Sequence, residues 1–374
     1  MKILYFYSDD GTNMTAWQKK HFIDELQRNG HCISLFDKFQ YKSIDDANDK
    51  LLSFVRKQKI QFDLFINSFG KDTFYISSIK EINRMGIPSL LICFDNLQVP
   101  YMHQNIAKYF NMVWLTSWET ENIFKKWGVK TIFMPYAANP HTFTPDFSEE
   151  IKSVGFIGTP YGTRIDKINA LTSAEIPVSL YSDRFVQKHT ESIVQARRKK
   201  TLADYNSDLR TYADLIKFPI GRKIFLSKVK KAFNADSHLN IDSSHLNCVP
   251  SVSFEEMNYL YSNLALSLGI TELWETYVLE NPIHKLHLRT FEIPMCGGLQ
   301  LVSYTDELAE YFEDQKEIIL YKSKEEYIDK AKYYLDDKRA SLRMKMKRAA
   351  RERSVGEHTW IHRFNKIFQR MGLK

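Results

Sequence analysis

The sequence predicts an α/β protein of two doubly wound, Rossmann-like domains, and three observations predict it. Short apolar runs and helical patterns alternate regularly from residue 2 to residue 134. The stretch from Tyr136 to Glu150, with Pro140 and Pro145 inside it and Pro135 just before, interrupts that alternation, and a second one opens at Ser153-Val154-Gly155-Phe156-Ile157-Gly158. At 374 residues the chain is also too long for one typical domain and suits two of roughly 150 to 200 residues.

In the first half, the apolar run Lys2 to Tyr7 ends in the turn-forming Ser8-Asp9-Asp10-Gly11. A helical pattern with Trp17, Phe22 and Leu26 on its apolar side stops at Asn29-Gly30, before the strand Cys32 to Phe36. The spacing then predicts a helix over 51–58, a strand over 64–66, a helix over 74–85 and a strand over 89–94 that closes on Asp95. A helix near 104–110, a strand over 112–116, a helix over 119–127 and a strand over 131–134 complete this half. In the second half the strand 153–158 is followed by a helix over 163–173 and a strand over 178–181. Alternation resumes at Ser253, an N-cap candidate with a carboxylate three residues on, and continues through the strand 264–268. Next come a short helix bearing Arg289 and Glu292, a Cys296-Gly297-Gly298 stop, a strand over 299–302 and a helix over 324–335. The last 35 residues form one or two basic amphipathic helices containing His358-Thr359-Trp360.

Hydrophobic residues make up 44% and charged residues 26% of the chain, as in soluble globular proteins. No apolar run approaches the roughly 18 residues of a membrane span, and the first residues lack a signal-peptide pattern. Cys32, Cys93, Cys248 and Cys296 show no CxxC spacing, which argues against a zinc site or a disulfide framework and for a reduced, cytoplasmic setting. Net charge is +7, yet residues 184–231 alone carry 13 Lys and Arg against 4 Asp and Glu. Such a block is either a solvated pair of helices or a cationic face for an anionic membrane, an acidic glycan or a nucleic acid. Few aromatics interleave it, which favours a peripheral membrane contact or a lipid-linked acceptor over nucleic acid.

Several residues carry candidate chemistry. A helix with a cation in its first turn, stopped by Gly297-Gly298 and followed by a buried strand, is either an ordinary αβ unit or a nucleotide-diphosphate site. Arg289 and Glu292 are one helical turn apart and can face one side, while Pro294 limits the helix beyond them. Gly158 allows close backbone approach to a phosphate or simply makes a tight turn. Arg164, at the start of a helix where a cation opposes the dipole, needs a ligand or a carboxylate partner. Asp95, at a strand end, is the leading candidate for general base or acceptor-orienting group, with loop capping as the alternative, and His103 is a second candidate. Asp9, Asp10 and Gly11 suit a turn or an acceptor hydroxyl.

Taken together and in order, several stretches are more specific than any one of them. They are Phe156-Ile157-Gly158 with Arg164, Phe254-Glu255-Glu256 leading to Tyr261-Ser262, Arg289 to Gly298, Glu307-Leu308, Glu325-Glu326, and His358-Thr359-Trp360 with Arg363. The first half adds Gly86-Ile87-Pro88, Phe94-Asp95, Thr116-Ser117 and Met134-Pro135-Tyr136-Ala137. The chain resembles the GT-B glycosyltransferases of the spore-maturation CgeB type, with their group-one-like C-terminal domain, over nearly its full length except about 185–250.

The resemblance implies an acceptor-side domain over 1–145, a nucleotide-sugar domain over 146–350 interrupted by a basic helical insertion at about 185–250, and a helix over 351–374 crossing back to the first domain. It implies two domains facing a central cleft, a UDP-sugar as the favoured donor, a glycan, lipid-linked or macromolecular acceptor, and no obligatory metal. Glu292 falls where the family binds the donor ribose, and Arg289 where a cation neutralises the diphosphate. Gly158, Arg164 and Gly297 join that donor set, and Ser182 and Asp183 end a strand that faces the nucleotide base. His284 stands where many retaining members carry a second Glu, which leaves its role, the stereochemical outcome and turnover itself open. A non-catalytic nucleotide-sugar-binding module, or a transferase acting on nucleic acid, are the alternatives.

Overall fold

The computed structural model describes residues 1–58, 62–183, 211–233 and 237–373 and divides into two compact units. The first comprises Met1–Thr142 together with the segment from Thr359 onward, and the second Phe143–His358.

In the first unit β1 (Lys2–Tyr7) leads into α1 (Asn13–Gln18), which runs through a π turn, Lys19–Ile23, into α2 (Asp24–Arg28). The Phe22 side chain lies outside the described residues. β2 (Cys32–Asp37), α3 (Ile44–Lys57), β3 (Leu64–Asn67), α4 (Ile76–Arg84) and β4 (Ser89–Cys93) follow, then β5 (Met112–Leu115), α5 (Glu121–Lys126) and β6 (Thr131–Phe133). All pairs are parallel, in the order β2-β1-β3-β4-β5-β6. β3, β4 and β5 are buried along their whole length, as strands covered by helices on both faces must be.

The helix expected over 104–110 is not there. Pro100–His103 and Ala107–Tyr109 are separate 3₁₀ turns, closed by bonds three residues apart such as Ile106 N–H to the His103 carbonyl. Ile106, Ala107 and Phe110 are all drawn into the core from this irregular segment.

The second unit begins with β7 (Ile151–Ile157), α6 (Thr163–Ser173) and β8 (Val178–Tyr181), then α7 (Pro219–Ala232) and β9 (Leu246–Val249). It continues with α8 (Phe254–Asn263), β10 (Leu264–Leu268), α9 (Leu288–Met295), β11 (Gln300–Ser303), α10 (Asp306–Tyr311), β12 (Ile319–Tyr321), α11 (Lys324–Leu335) and α12 (Ala340–Glu357). This sheet is also parallel, ordered β12-β11-β10-β7-β8-β9. β9 lies inside the stretch taken as an insertion, yet it pairs with β8 as the edge strand. Residues 184–210 of the basic block, with Arg197, Arg198, Lys199 and Lys200, lie outside the described residues. Ser253 caps α8 through a capping box with Glu256.

The final helix, α13 (Trp360–Met371), belongs to the first unit. Thr359 caps it, and the fully buried Trp360 ring meets Trp17 edge-on at 5.4 Å. No helix among the described residues is long and apolar enough to cross a membrane.

Candidate functional site

In the second unit the strand order reverses between β7 and β10, the switch point where open α/β sheets bind ligands beyond the carboxyl ends of their strands. Two helices start near it without a side-chain cap, α6 after Gly162 and α9 after His287, and their positive dipole ends favour an anion, while the Arg164, Ile165 and Thr290 N–H groups donate to the Tyr161, Gly162 and His287 carbonyls.

Two arginines converge there. Arg289, in the first turn of α9, reaches back to β7, so that a Cβ built on Gly158 would lie 2.7 Å from its Nη2. Gly158 has φ of 137°, a backbone geometry that L side chains rarely adopt. Arg164 lies 5.6 Å from the Phe156 ring centre and Arg289 5.9 Å from it, and Arg164 also covers the Tyr161 ring at 4.2 Å. Burial draws the Arg164 pKa down and the neighbouring Arg289 charge adds to that, against an opposing pull from Tyr161. Arg164 donates to the Thr159 carbonyl at 2.8 Å, and the Arg289 charge offsets part of the upward push that burial gives the Tyr261 hydroxyl. Among the described residues neither guanidinium forms an ion pair. Glu292, one turn after Arg289, is only 5% exposed, and its charge is felt by Tyr261 and Cys296.

At the tips of β8 and β9, Asp183 accepts from the Ser251 N–H at 2.9 Å and from its hydroxyl, bonds that hold its carboxyl below the usual range. Ser182 is buried, and its N–H donates to the Val249 carbonyl at 2.8 Å. Gly297 is a correction. It closes α9 with φ of 78°, next to Pro145 and Phe147, which precede β7. Since α9 runs back from the carboxyl to the amino edge of the sheet, Gly297 sits at the opposite edge from Gly158, about a 12 Å helix length away.

His284 opens onto a second feature, a cavity of about 470 Å³ lined by Lys167, Glu272, Ser303, Tyr304, Tyr321 and Lys324 among others. Lys167 Nζ lies 2.6 Å from Glu272, 2.8 Å from Ser303 Oγ and 2.5 Å from the Tyr321 hydroxyl. Burial pulls Lys167 down, but the Tyr321 and Glu272 charges hold its pKa up. Burial alone would raise Glu272, and Lys167 outweighs it so that the carboxyl is held low. The second Glu272 oxygen has no hydrogen-bond partner among the described residues. His284 Nδ1 lies 2.8 Å from Thr271 Oγ1, and burial pushes the imidazole down. Sequence reasoning missed Lys167, Glu272, Ser303 and Tyr321. Of these only Lys167 left a local signal, one helical turn after Arg164.

In the first unit Asp95 follows β4 with φ of 53°, uncommon outside glycine. Its carboxylate is exposed and accepts from the Tyr136 hydroxyl at 3.4 Å, while its carbonyl accepts from Gln98 and Val99. His103 is buried, its Nε2 is 3.3 Å from the Ser68 carbonyl, and burial pushes it down to about 4, so it is neutral at physiological pH. Asp10 accepts from Thr12 and Thr15 and so shapes the turn before α1.

Solved structures show what this arrangement is similar to. The chain superposes over 99% of its length on 99% of the Anabaena protein HepE, determined with UDP and glucose, at a TM-score of 0.54 and 10% identity. It covers 99% of an alpha-glucosyltransferase determined with UDP-glucose and DNA containing an abasic site, over 100% of its own length, at 0.58 and 13% identity. A sucrose-phosphate synthase from Thermosynechococcus elongatus matches at 0.53 and 13% identity, with 99% of this chain and 98% of that one covered. The fold is GT-B. A family model described as "Glycosyl transferase-like" matches residues 222–369, which include β10, α9 and their connection. No curated protein is similar enough to match.

Proposed function

We propose that this protein is a glycosyltransferase of the CgeB-like GT-B type that moves a sugar from a nucleoside-diphosphate donor, a UDP-sugar, to a glycan or lipid-linked acceptor in surface-glycan assembly. The observation that carries the reading is the pair of guanidiniums at Gly158, without ion-pair partners among the described residues, between two uncapped helix starts. In the reaction the bond from the sugar carbon to the β-phosphate oxygen breaks and its electron pair leaves on UDP. An acceptor oxygen then bonds to that carbon and gives up its proton. Arg289, Arg164 and the two helix starts stabilise the charge that grows on the departing diphosphate. Glu292 takes the ribose, Ser182 and Asp183 border the base, and Asp95 accepts the proton from the acceptor hydroxyl. His103, buried and neutral, has a packing role in this scheme.

Calorimetric titration with UDP tests the donor site. Arg289→Ala and Arg164→Ala are each expected to weaken UDP about tenfold to a hundredfold, the value of a charge-assisted hydrogen bond. Asp95→Asn should leave UDP affinity intact and lower turnover about 10² to 10⁴-fold. Unchanged UDP affinity in Arg289→Ala would sink the site. Because His284 replaces an acidic residue that the resemblance expects, a pure nucleotide-sugar binder is the second reading, and it predicts affinity without product on any donor. The fold likeness to an enzyme determined with DNA makes nucleic acid an acceptor to include in the same assay.

A further inference from the structure

We infer that α7 is an interfacial helix that seats this protein on an anionic lipid bilayer. One face of α7 is committed to its own unit. Gly221, Ile224 and Ser227 are buried, and a Cβ on Gly221 would lie 1.9 Å from the Leu215 carbonyl oxygen. Lys228 donates to the Tyr212 hydroxyl at 2.8 Å and lies 5.6 Å from the Trp274 ring, while Lys231 lies 6.0 Å from that of Tyr277. The helix is therefore clamped in orientation.

The opposite face presents Phe225, Leu226, Val229 and Phe233, which are 45%, 57%, 39% and 86% exposed. Offsets of one, four and eight residues place them on a single stripe about 100° wide. Ile216, just before the helix, is exposed as well. Exposed large hydrophobics occur singly on most surfaces, and a contiguous stripe marks an interaction site.

Charge decides the partner. α7 carries five Lys and Arg and no acidic residue, and Arg222, Lys223 and Lys230 are exposed within or beside the apolar stripe. Two copies of the chain meeting through this face would oppose cation to cation. Duplex DNA would accept the cations but gains nothing from Leu226 and Val229, whose side chains would lie against phosphates. A bilayer with anionic headgroups satisfies both halves, because the stripe enters the boundary between headgroups and acyl chains while the cations meet lipid phosphates. This inference stands apart from the donor site, so either can fail alone.

The test is co-sedimentation of the full chain with mixed phosphatidylcholine and phosphatidylglycerol vesicles at low and high salt. Binding is expected to anionic vesicles, to weaken as salt screens the cations, and to be absent on pure phosphatidylcholine. Phe225→Asp with Leu226→Asp should weaken it at least about tenfold, as loss of two buried apolar side chains requires. Arg222→Glu with Lys230→Glu should do the same. Both variants are exposed-surface changes, so unaltered thermal melting and UDP affinity show that the fold is intact. Absence of vesicle binding by the wild-type chain overturns the inference. So do equal binding to neutral vesicles, tight binding to duplex DNA that survives Phe225→Asp with Leu226→Asp, or a dimer that this pair dissolves.

Discussion

Two glycines show how much a single position can carry. Both Gly158 and Gly297 have left-handed backbone, and a Cβ on either would meet a neighbour at 2.7 Å, Arg289 Nη2 in one case and the Phe147 ring in the other. Replacement by Ala should cost each about 1 to 3 kcal/mol in strain, read by thermal melting. Only Gly158→Ala should also weaken UDP, because its methyl displaces a guanidinium at the switch point. A matching loss in folded Gly297→Ala would show that the amino edge of the sheet takes part in donor binding. The family resemblance grouped these glycines in one donor set, from their places in the order of motifs. What separates them is which end of a parallel strand each one occupies, and a local pattern does not reveal that.

Among elements, the regular ones were legible and the irregular ones were not. The helix over 163–173 and the strands over 178–181 and 264–268 fall where hydrophobic periodicity puts them, because each buries a continuous face on one core. β9 escaped notice since its four residues are a half-exposed edge without alternation. The tie between α6 and the segment after β10 was equally invisible, as Lys167 and Glu272 are 105 positions apart. Removing one partner of a buried pair leaves a bare charge, so Lys167→Met should destabilise the protein by about 3 to 5 kcal/mol in a urea melt. Adding Glu272→Leu should return most of that loss. A double variant as unstable as the single one would mean that Ser303 and Tyr321, rather than the ion pair, dominate the energetics.

At the scale of the whole molecule, stability against pH follows from buried titratable groups. Glu25 is buried, its carboxylate accepts from the Ile361 N–H at 3.1 Å, and burial raises it from 4.5 to about 7. A carboxyl raised on folding contributes stability that is complete below 4.5, falls as pH rises to about 7 and is level above that. The shift amounts to roughly 3 kcal/mol. Burial lowers His21 from 6.5 to about 3 and His103 to about 4, so these two act in the opposite sense and stability is lost as pH falls below 6.5. Glu25→Gln keeps the acceptor and removes the charge. Its melting temperature should gain on the wild type progressively from pH 4.5 to about 7, then hold a constant lead. A difference that is flat across that window would show that Glu25 is not charged on unfolding as argued.

The sequence by itself determined the class of fold, two parallel αβ units, since alternation of apolar periodicities is a local property that each segment states alone. It also singled out Gly158, Arg164 and Arg289, because glycine after a strand and cations at helix starts are local anomalies. Only the tertiary structure decided that these three meet at one switch point while Gly297 does not. It alone revealed that His103 is buried and neutral, that Lys167 and Glu272 share a cavity with His284, and that α7 turns its apolar stripe outward. Each of these depends on which strand ends and helix faces lie together, and that is fixed by packing between residues far apart in the chain.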